Sequence, residues 1–375
     1  MTDRAVLDVL EDIITTVVEP RAPEVDTTGS FPREAITAFG EQGLLGLLSS
    51  PDVGGLGGSL ADAAQVIRRL SASCGSTAMV LAMHYCATAV IEAHGADDVR
   101  RTIAAGRHLS TLAFSETGSR SHFWAPLSTA TAEGDHVIID AAKSWVTSAG
   151  EADSYVWTSQ PTSGEAGATL WLVPASAGGL SVGGPFDGLG LRGNASSPVA
   201  AEGVRLPVSA RLGDDGAGLD LALGVVLPVF QILNASCSLG LMDAGIAKAV
   251  AHATAARFEH LGQTLADQPV ARQHLAAMRN QADAAATLVD DAVVALAAGR
   301  ADAPLRMLQS KAVAGDTALA VLDQAMRVGG GAAFRKDVGI ERHFRDARAS
   351  AVMAPTVDAL QDFIGRAVCG LPLFG

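Results

Sequence analysis

Asp135-His-Val-Ile-Ile-Asp140 opens a series of short alternating runs, continued by Ser154-Tyr-Val-Trp-Thr158 and Thr169-Leu-Trp-Leu-Val173, with glycine, proline and serine clustered between them. Apolar and polar residues alternate with a period of two, and β-branched and aromatic side chains dominate, as half-buried strands require. These runs predict a β domain over residues 109–215. On its N-terminal side Leu7, Leu10, Ile13, Ile14 and Val17 recur at three and four, and 61–70 and 77–93 repeat the pattern. That spacing predicts a helical domain over 1–108, interrupted at the glycine- and proline-rich stretch 51–58 by a tight loop. On the C-terminal side, alanine-rich sequence with a helical period runs from 218 to about 329 and resumes over 357–368. A second helical domain is expected over 216–375. The order helices, strands, helices describes an α+β chain built in separate layers, not alternating parallel-sheet units.

Composition narrows the function classes. A chain of 375 residues exceeds one compact core and suits two or three packed parts. Net charge is −13 and pI near 5.1, with no Lys/Arg-rich run, so nucleic acid and membrane surfaces are not expected partners. Cys74, Cys86, Cys237 and Cys369 lack CxxC spacing and read as buried, reduced thiols of a cytoplasmic protein. Acidic residues interrupt the apolar N-terminus, so no signal peptide is expected. The longest apolar region, 219–233, is broken by Gly224 and Pro228 and is too short to span a bilayer. The nine histidines form no HExxH or Cys/His ligand set, and no metal is expected. Neither a P-loop, a dinucleotide fingerprint nor a GxSxG elbow occurs, which removes the usual nucleotide-binding and hydrolase readings.

Six ordered motifs remain. They are Phe31-Pro32 with Gly43-Leu-Leu-Gly-Leu47 and 51–57; Ser115-Glu-Thr-Gly-Ser-Arg-Ser121; Lys143-Ser-Trp-Val-Thr-Ser148; Gly188-Leu-Gly-Leu-Arg-Gly193 with Val204-Arg-Leu-Pro207 and Leu212-Gly-Asp-Asp-Gly216; Gly330-Gly331 with Glu341-Arg342; and Arg345-Asp-Ala-Arg348 leading to Thr356. In this order they resemble the acyl-CoA dehydrogenases over nearly the whole chain. The resemblance implies an N-terminal helical domain, a central β domain and a C-terminal four-helix bundle. It also implies FAD, contacted by Ser115, Ser121, Trp145, Thr147, Arg257, Arg327, Gly330, Gly331 and Thr356. A flavin ring favours an aromatic wall and hydrogen bonds at its ring atoms, which suits Trp145 and Thr147. A pyrophosphate favours a planar guanidinium, which suits Arg257 and Arg327. Arg257 lies in Arg257-Phe-Glu-His-Leu-Gly262, one residue longer than the family's usual run, and Arg327 stands where the family has glutamine. A helix-end arginine beside a capping glycine is the plain structural alternative for Arg327.

The resemblance breaks at the catalytic base. The family's two places for a glutamate correspond to Ala354 and Phe230, and Gln231 replaces an arginine associated with the CoA side of the site. A positioned base contributes about 10²- to 10⁴-fold, so three readings compete. The first is an FAD-dependent oxidoreductase acting at the α,β bond of an acyl thioester with a non-standard base, for which Asp358 and His84 are candidates. The second is a flavin-dependent monooxygenase of a small molecule, hinted at by Pro355. The third is a non-catalytic flavin or acyl binder. The family also implies a homodimer or homotetramer, a substrate on CoA or a carrier protein, and an electron-transfer flavoprotein or oxygen as electron acceptor.

Overall fold

A computed structural model of the chain describes residues 3–119, 122–164 and 167–374. Six helices come first: α1 (Asp3–Ile13), α2 (Glu19–Thr28), α3 (Arg33–Glu41), α4 (Leu60–Ser73), α5 (Gly75–His94) and α6 (Asp97–Ala104). Eight strands follow: β1 (Ser110–Ala113), β2 (Thr129–Glu133), β3 (His136–Val146), β4 (Ser154–Ser159), β5 (Thr169–Pro174), β6 (Leu180–Val182), β7 (Ser197–Pro207) and β8 (Arg211–Leu212). Then come α7 (Gly218–Leu221), α8 (Leu227–Ala255), a hairpin of β9 (Arg257–Phe258) and β10 (Gln263–Thr264), and α9 (Pro269–Ala297), α10 (Ala303–Gly329), α11 (Ile340–Val352) and α12 (Val357–Val368). The α+β order read from the sequence is the one observed.

The chain divides into two compact units, one of residues 1–66, 76–188 and 192–230, the other of 67–75, 189–191 and 231–375. In the first, the strands form two four-stranded sheets, ordered β1-β4-β5-β8 and β2-β3-β7-β6, antiparallel except for the parallel pair β1 and β4. Val156 and Leu170 of the first sheet pack with Ala87, Val90 and Ile91 of α5 and Ile103 of α6. Helix α5 is buried on nearly every side, which explains why its sequence is apolar all round instead of striped.

The second unit is built around α10, which packs on α9, α11 and α12. Two sequence motifs meet there. A Cβ at Gly190 would stand 2.5 Å from the Arg345 carbonyl, so only glycine allows this approach. Leu191 N donates to Asp346 Oδ1 at 2.7 Å and Arg345 Nη1 to Leu189 O at 3.0 Å, locking Leu189–Leu191 against α11.

Several expectations need correction. The apolar region near 219–233 is not broken: helix is continuous over Gly218–Ala255, and a π-helical turn at Ala222–Val226 accommodates Pro228. This helix and α5 are long and apolar enough to cross a membrane by length and composition, and 83% of each apolar window is buried within the protein, as in core helices. Helix α11 occupies Ile340–Val352, between the two helical stretches expected from periodicity, and Arg257–Phe258 pairs with Gln263–Thr264 in the β9–β10 hairpin. Cys74, Cys86 and Cys237 are buried, but Cys369 is exposed, because it follows the last turn of α12.

Candidate functional site

In the first unit, the chain leaving β1 folds back along β3. Ser115 O accepts from Ser144 N at 2.9 Å, Thr117 N donates to Ala142 O at 3.0 Å, and Glu116 bridges Lys143. The Glu116 carboxylate accepts from Lys143 Nζ, Leu127 N, Ser128 N and Ser128 Oγ. Lys143 Nζ also donates to Thr158 O at 2.7 Å and Thr158 Oγ1 at 2.8 Å, and lies 5.2 Å from the Trp157 ring centre. Both side chains are buried. Burial opposes charge on each: it pushes Lys143 down to about 8, with Glu116 countering, and it works against Glu116, where the Lys143 charge and the surrounding donors win and hold the carboxyl below its usual range. The pair is ionised at neutral pH.

This pair fixes the segment that carries Trp145. At Trp145 the backbone turns to φ 56°, where the β3–β7 register shifts between Lys143 and Val146. Left-handed backbone at a bulky residue persists only when its surroundings impose it. The result is an indole 70% exposed, edge-on to Phe186 at 6.4 Å. A tryptophan that merely filled the core would be buried, and this one is not. Beside it Thr147 is buried, with its Oγ1 3.2 Å from Ser196 Oγ. The structure therefore brings Ser115, Trp145 and Thr147 together. Ser121 lies outside the described residues.

In the second unit, Arg257 is exposed on β9. Arg327 is exposed in the last turn of α10 and pairs with Asp323 at 3.0 Å. Gly330 caps that helix at φ 53°, and no atom lies within 4 Å of a Cβ built on Gly330 or Gly331, so open space adjoins both. Thr356 caps α12, its hydroxyl accepting from Ala359 N at 3.2 Å.

The loop between α11 and α12, where the resemblance locates a base, is tightly held and carries no carboxylate. Lys311 Nζ reaches in from α10 and donates to Ser350 O (3.0 Å), Met353 O (3.0 Å) and Pro355 O (2.7 Å). Burial pushes this ammonium down to about 7, while three carbonyl oxygens, two at the negative end of α11, favour its charged form. Ala354 is half-buried and Phe230 is buried. Neither substitute base suggested by the sequence fits. His84 is fully buried: Nδ1 accepts from Ser110 N at 3.1 Å and Nε2 donates to Leu45 O at 2.9 Å, so no lone pair is free. Burial pushes it down to about 4. Asp358 is exposed in the first turn of α12.

Glu116, Lys143 and Lys311 escaped the sequence reading. The first two stood inside quoted motifs without an assigned role. Lys311 could have been found by helical spacing, since it shares the apolar stripe of Met307, Leu308, Ala314 and Ala318.

Models of the acyl-CoA dehydrogenase N-terminal, middle and C-terminal domains match residues 2–106, 111–204 and 216–369. The chain is 26% identical to the probable acyl-CoA dehydrogenase YngJ of Bacillus subtilis (strain 168), over 96% of each protein. Butyryl-CoA dehydrogenase from Megasphaera elsdenii shares the fold with a TM-score of 0.91 at 22% identity, covering 98% of both chains. The prolyl acyl carrier protein oxidase AnaB does so with a TM-score of 0.88 at 18% identity, covering 97% of this chain and 98% of its own.

Proposed function

Because the chain belongs to the acyl-CoA dehydrogenase family of flavoprotein oxidoreductases along all three of its domains, we propose that it binds FAD and oxidises the α,β bond of an acyl thioester, or a related acyl compound, without the usual carboxylate. The observation that carries this reading is Trp145: an indole 70% exposed, on backbone held in a left-handed turn beside Ser115 and Thr147. Exposing so large an apolar face is unfavourable unless a ligand covers it. Bound flavin would supply the hydride acceptor. Trp145 and Thr147 would face its ring, and Ser115 and Ser121 its ring oxygens and pyrophosphate. Arg257, Arg327, Gly330, Gly331 and Thr356 would complete the cofactor contacts, with Arg257 coming from a second copy in a homodimer or homotetramer.

With a hydride passing to bound flavin, the α proton would have to pass to water or to a base other than residues 354 and 230, since both ring nitrogens of His84 are engaged and Asp358 is exposed on α12. That gap gives the monooxygenase reading its one specific support, a reaction-side loop of Met353, Ala354 and Pro355 without a base. Anaerobic mixing of the FAD-loaded protein with saturated acyl thioesters, on CoA and on a carrier protein, decides between them. Loss of flavin absorbance near 450 nm without added reductant is the expected result, and Ala354→Glu should speed it by about tenfold or more. No bleaching in either protein, together with rapid oxygen uptake and an oxygenated product from separately reduced enzyme, would overturn the dehydrogenase reading.

A further inference from the structure

Helices α2 and α3 and the start of α5, all in the first unit, enclose a cavity of about 180 Å³, far more than one water occupies. Val17, Val18, Val25 and the Phe31 ring give it an apolar wall. Polar groups on the rest of the wall are left without partners. Helix α3 runs for nine residues, and its N-cap, Pro32, offers no side-chain acceptor. Arg33 N donates to Phe31 O at 2.8 Å and Ile36 N to Pro32 O at 3.1 Å, but no acceptor among the described residues takes the N–H of Glu34 or Ala35, and both residues line the cavity. Independently, Thr77 in the first turn of α5 lines the same cavity at 1% exposure, and its hydroxyl has no hydrogen-bond partner among the described residues. A buried hydroxyl left unpaired is disfavoured, so a group from outside the chain suits it. Two guanidinium groups complete the wall. Arg21 directs one Nη to Glu34, and Arg33 directs one Nη to the carboxylate and carbonyl of Glu151 while lying 4.8 Å from the Phe31 ring centre. Each keeps its Nε and its other Nη for a ligand.

We infer that this cavity binds a short monocarboxylate, its carboxylate capping the N-terminus of α3 and its carbons lying against the apolar wall. A carboxylate only accepts, at about four positions, which suits two backbone N–H groups, the Thr77 hydroxyl and a guanidinium. The partial positive charge at the start of α3 favours the same anion. An amide of equal shape would turn donors towards donors. Glu24 and Glu34 also line the cavity and balance the charges of Arg21 and Arg33, so a single negative charge is accommodated and a phosphate dianion is opposed. The inference stands apart from the acyl-oxidation reading, because none of the lining residues belongs to the candidate cofactor site.

Titration calorimetry of the full-length protein with 3-methylbutanoate, benzoate, their amides and inorganic phosphate tests this. Each acid should bind with a dissociation constant of about 1 mM or below, and about tenfold more tightly than its amide or phosphate. Hydrogen exchange read by mass spectrometry should slow over residues 31–37 with benzoate and not with benzamide, which locates the ligand at α3. Thr77→Val keeps the shape and loses the hydroxyl, so it should weaken benzoate about tenfold, and Thr77→Ser should restore most of the affinity. Equal affinity for acid and amide in the parent protein would overturn the inference. So would benzoate binding that leaves exchange over 31–37 unchanged, the result expected if it enters the flavin site instead, or binding indifferent to Thr77→Val. Phosphate binding as tight as benzoate would overturn it too, by marking a site for an adventitious ion only.

Discussion

Lys143 and Glu116 show how much one residue's charge state can decide. A buried ion pair is worth little against a well-packed apolar pair, but removing one partner strands the other charge, at about 3–5 kcal/mol. Here each partner is also tied to the β sheet, through Thr158 and Ser128. Lys143→Met is therefore expected to lower unfolding stability by about 3–5 kcal/mol, and adding Glu116→Gln should restore more than half of that. Urea denaturation of the single and double variants measures the coupling. Strictly additive losses would mean that the two charges act independently. FAD content should follow the same pattern, because the pair holds the turn that presents Trp145.

At the scale of elements, the sequence announced some features clearly and concealed others for physical reasons. Strand β3 was legible because its alternation matched the pleat; β4, buried at every residue, and β5, buried at most, were legible through their β-branched and aromatic residues, and the Trp145 segment through its motif. Helix α11 was not, because its buried face consists of Ile340, His343, Asp346, Ala347 and Ser350, too polar a set for hydrophobic periodicity to reveal. The continuity of the helix before α8 was hidden by Pro228, which lacks an N–H and crowds the carbonyl four residues back. The widened turn resolves this, with Leu227 N bonding Ala222 O, and the same device precedes Pro20, where Glu19 N bonds Ile14 O. The Ala354 departure was readable in sequence; the latch that holds that loop was readable only as a lysine within the apolar stripe of α10, and its three carbonyl partners, 39 to 44 residues away, were not. Lys311→Met would leave three carbonyls without their shared donor. It should cost about 3 kcal/mol and speed amide hydrogen exchange at Met353 and Ala354 more than at α9. Uniform exchange rates across the unit would show that Lys311 is not the latch.

For the whole molecule, the two units each bury a neutral histidine, and this gives acid stability a definite signature. Burial pushes His84 of the first unit down to about 4, and His343 of the second well below its usual range, both of its ring nitrogens lacking a partner. In the unfolded chain each would titrate near 6.5, so the unfolded state binds more protons and stability falls as pH drops from about 6.5 towards 4. Between pH 7 and 5 the loss is about 2 kcal/mol for His84. Carboxylates contribute little in that window, since they titrate near 4 when unfolded. All four tryptophans, Trp124, Trp145, Trp157 and Trp171, belong to the first unit, so their fluorescence follows the unit that holds His84. His84→Asn should flatten the pH dependence of urea unfolding seen by fluorescence. His343→Leu should flatten that seen by far-ultraviolet circular dichroism and, by replacing an unpaired polar ring with an apolar side chain, raise stability at pH 7. If the units unfold as one, each variant would lower both slopes equally. If neither slope changes, some other group governs the acid response and the two histidines are protonated within the fold.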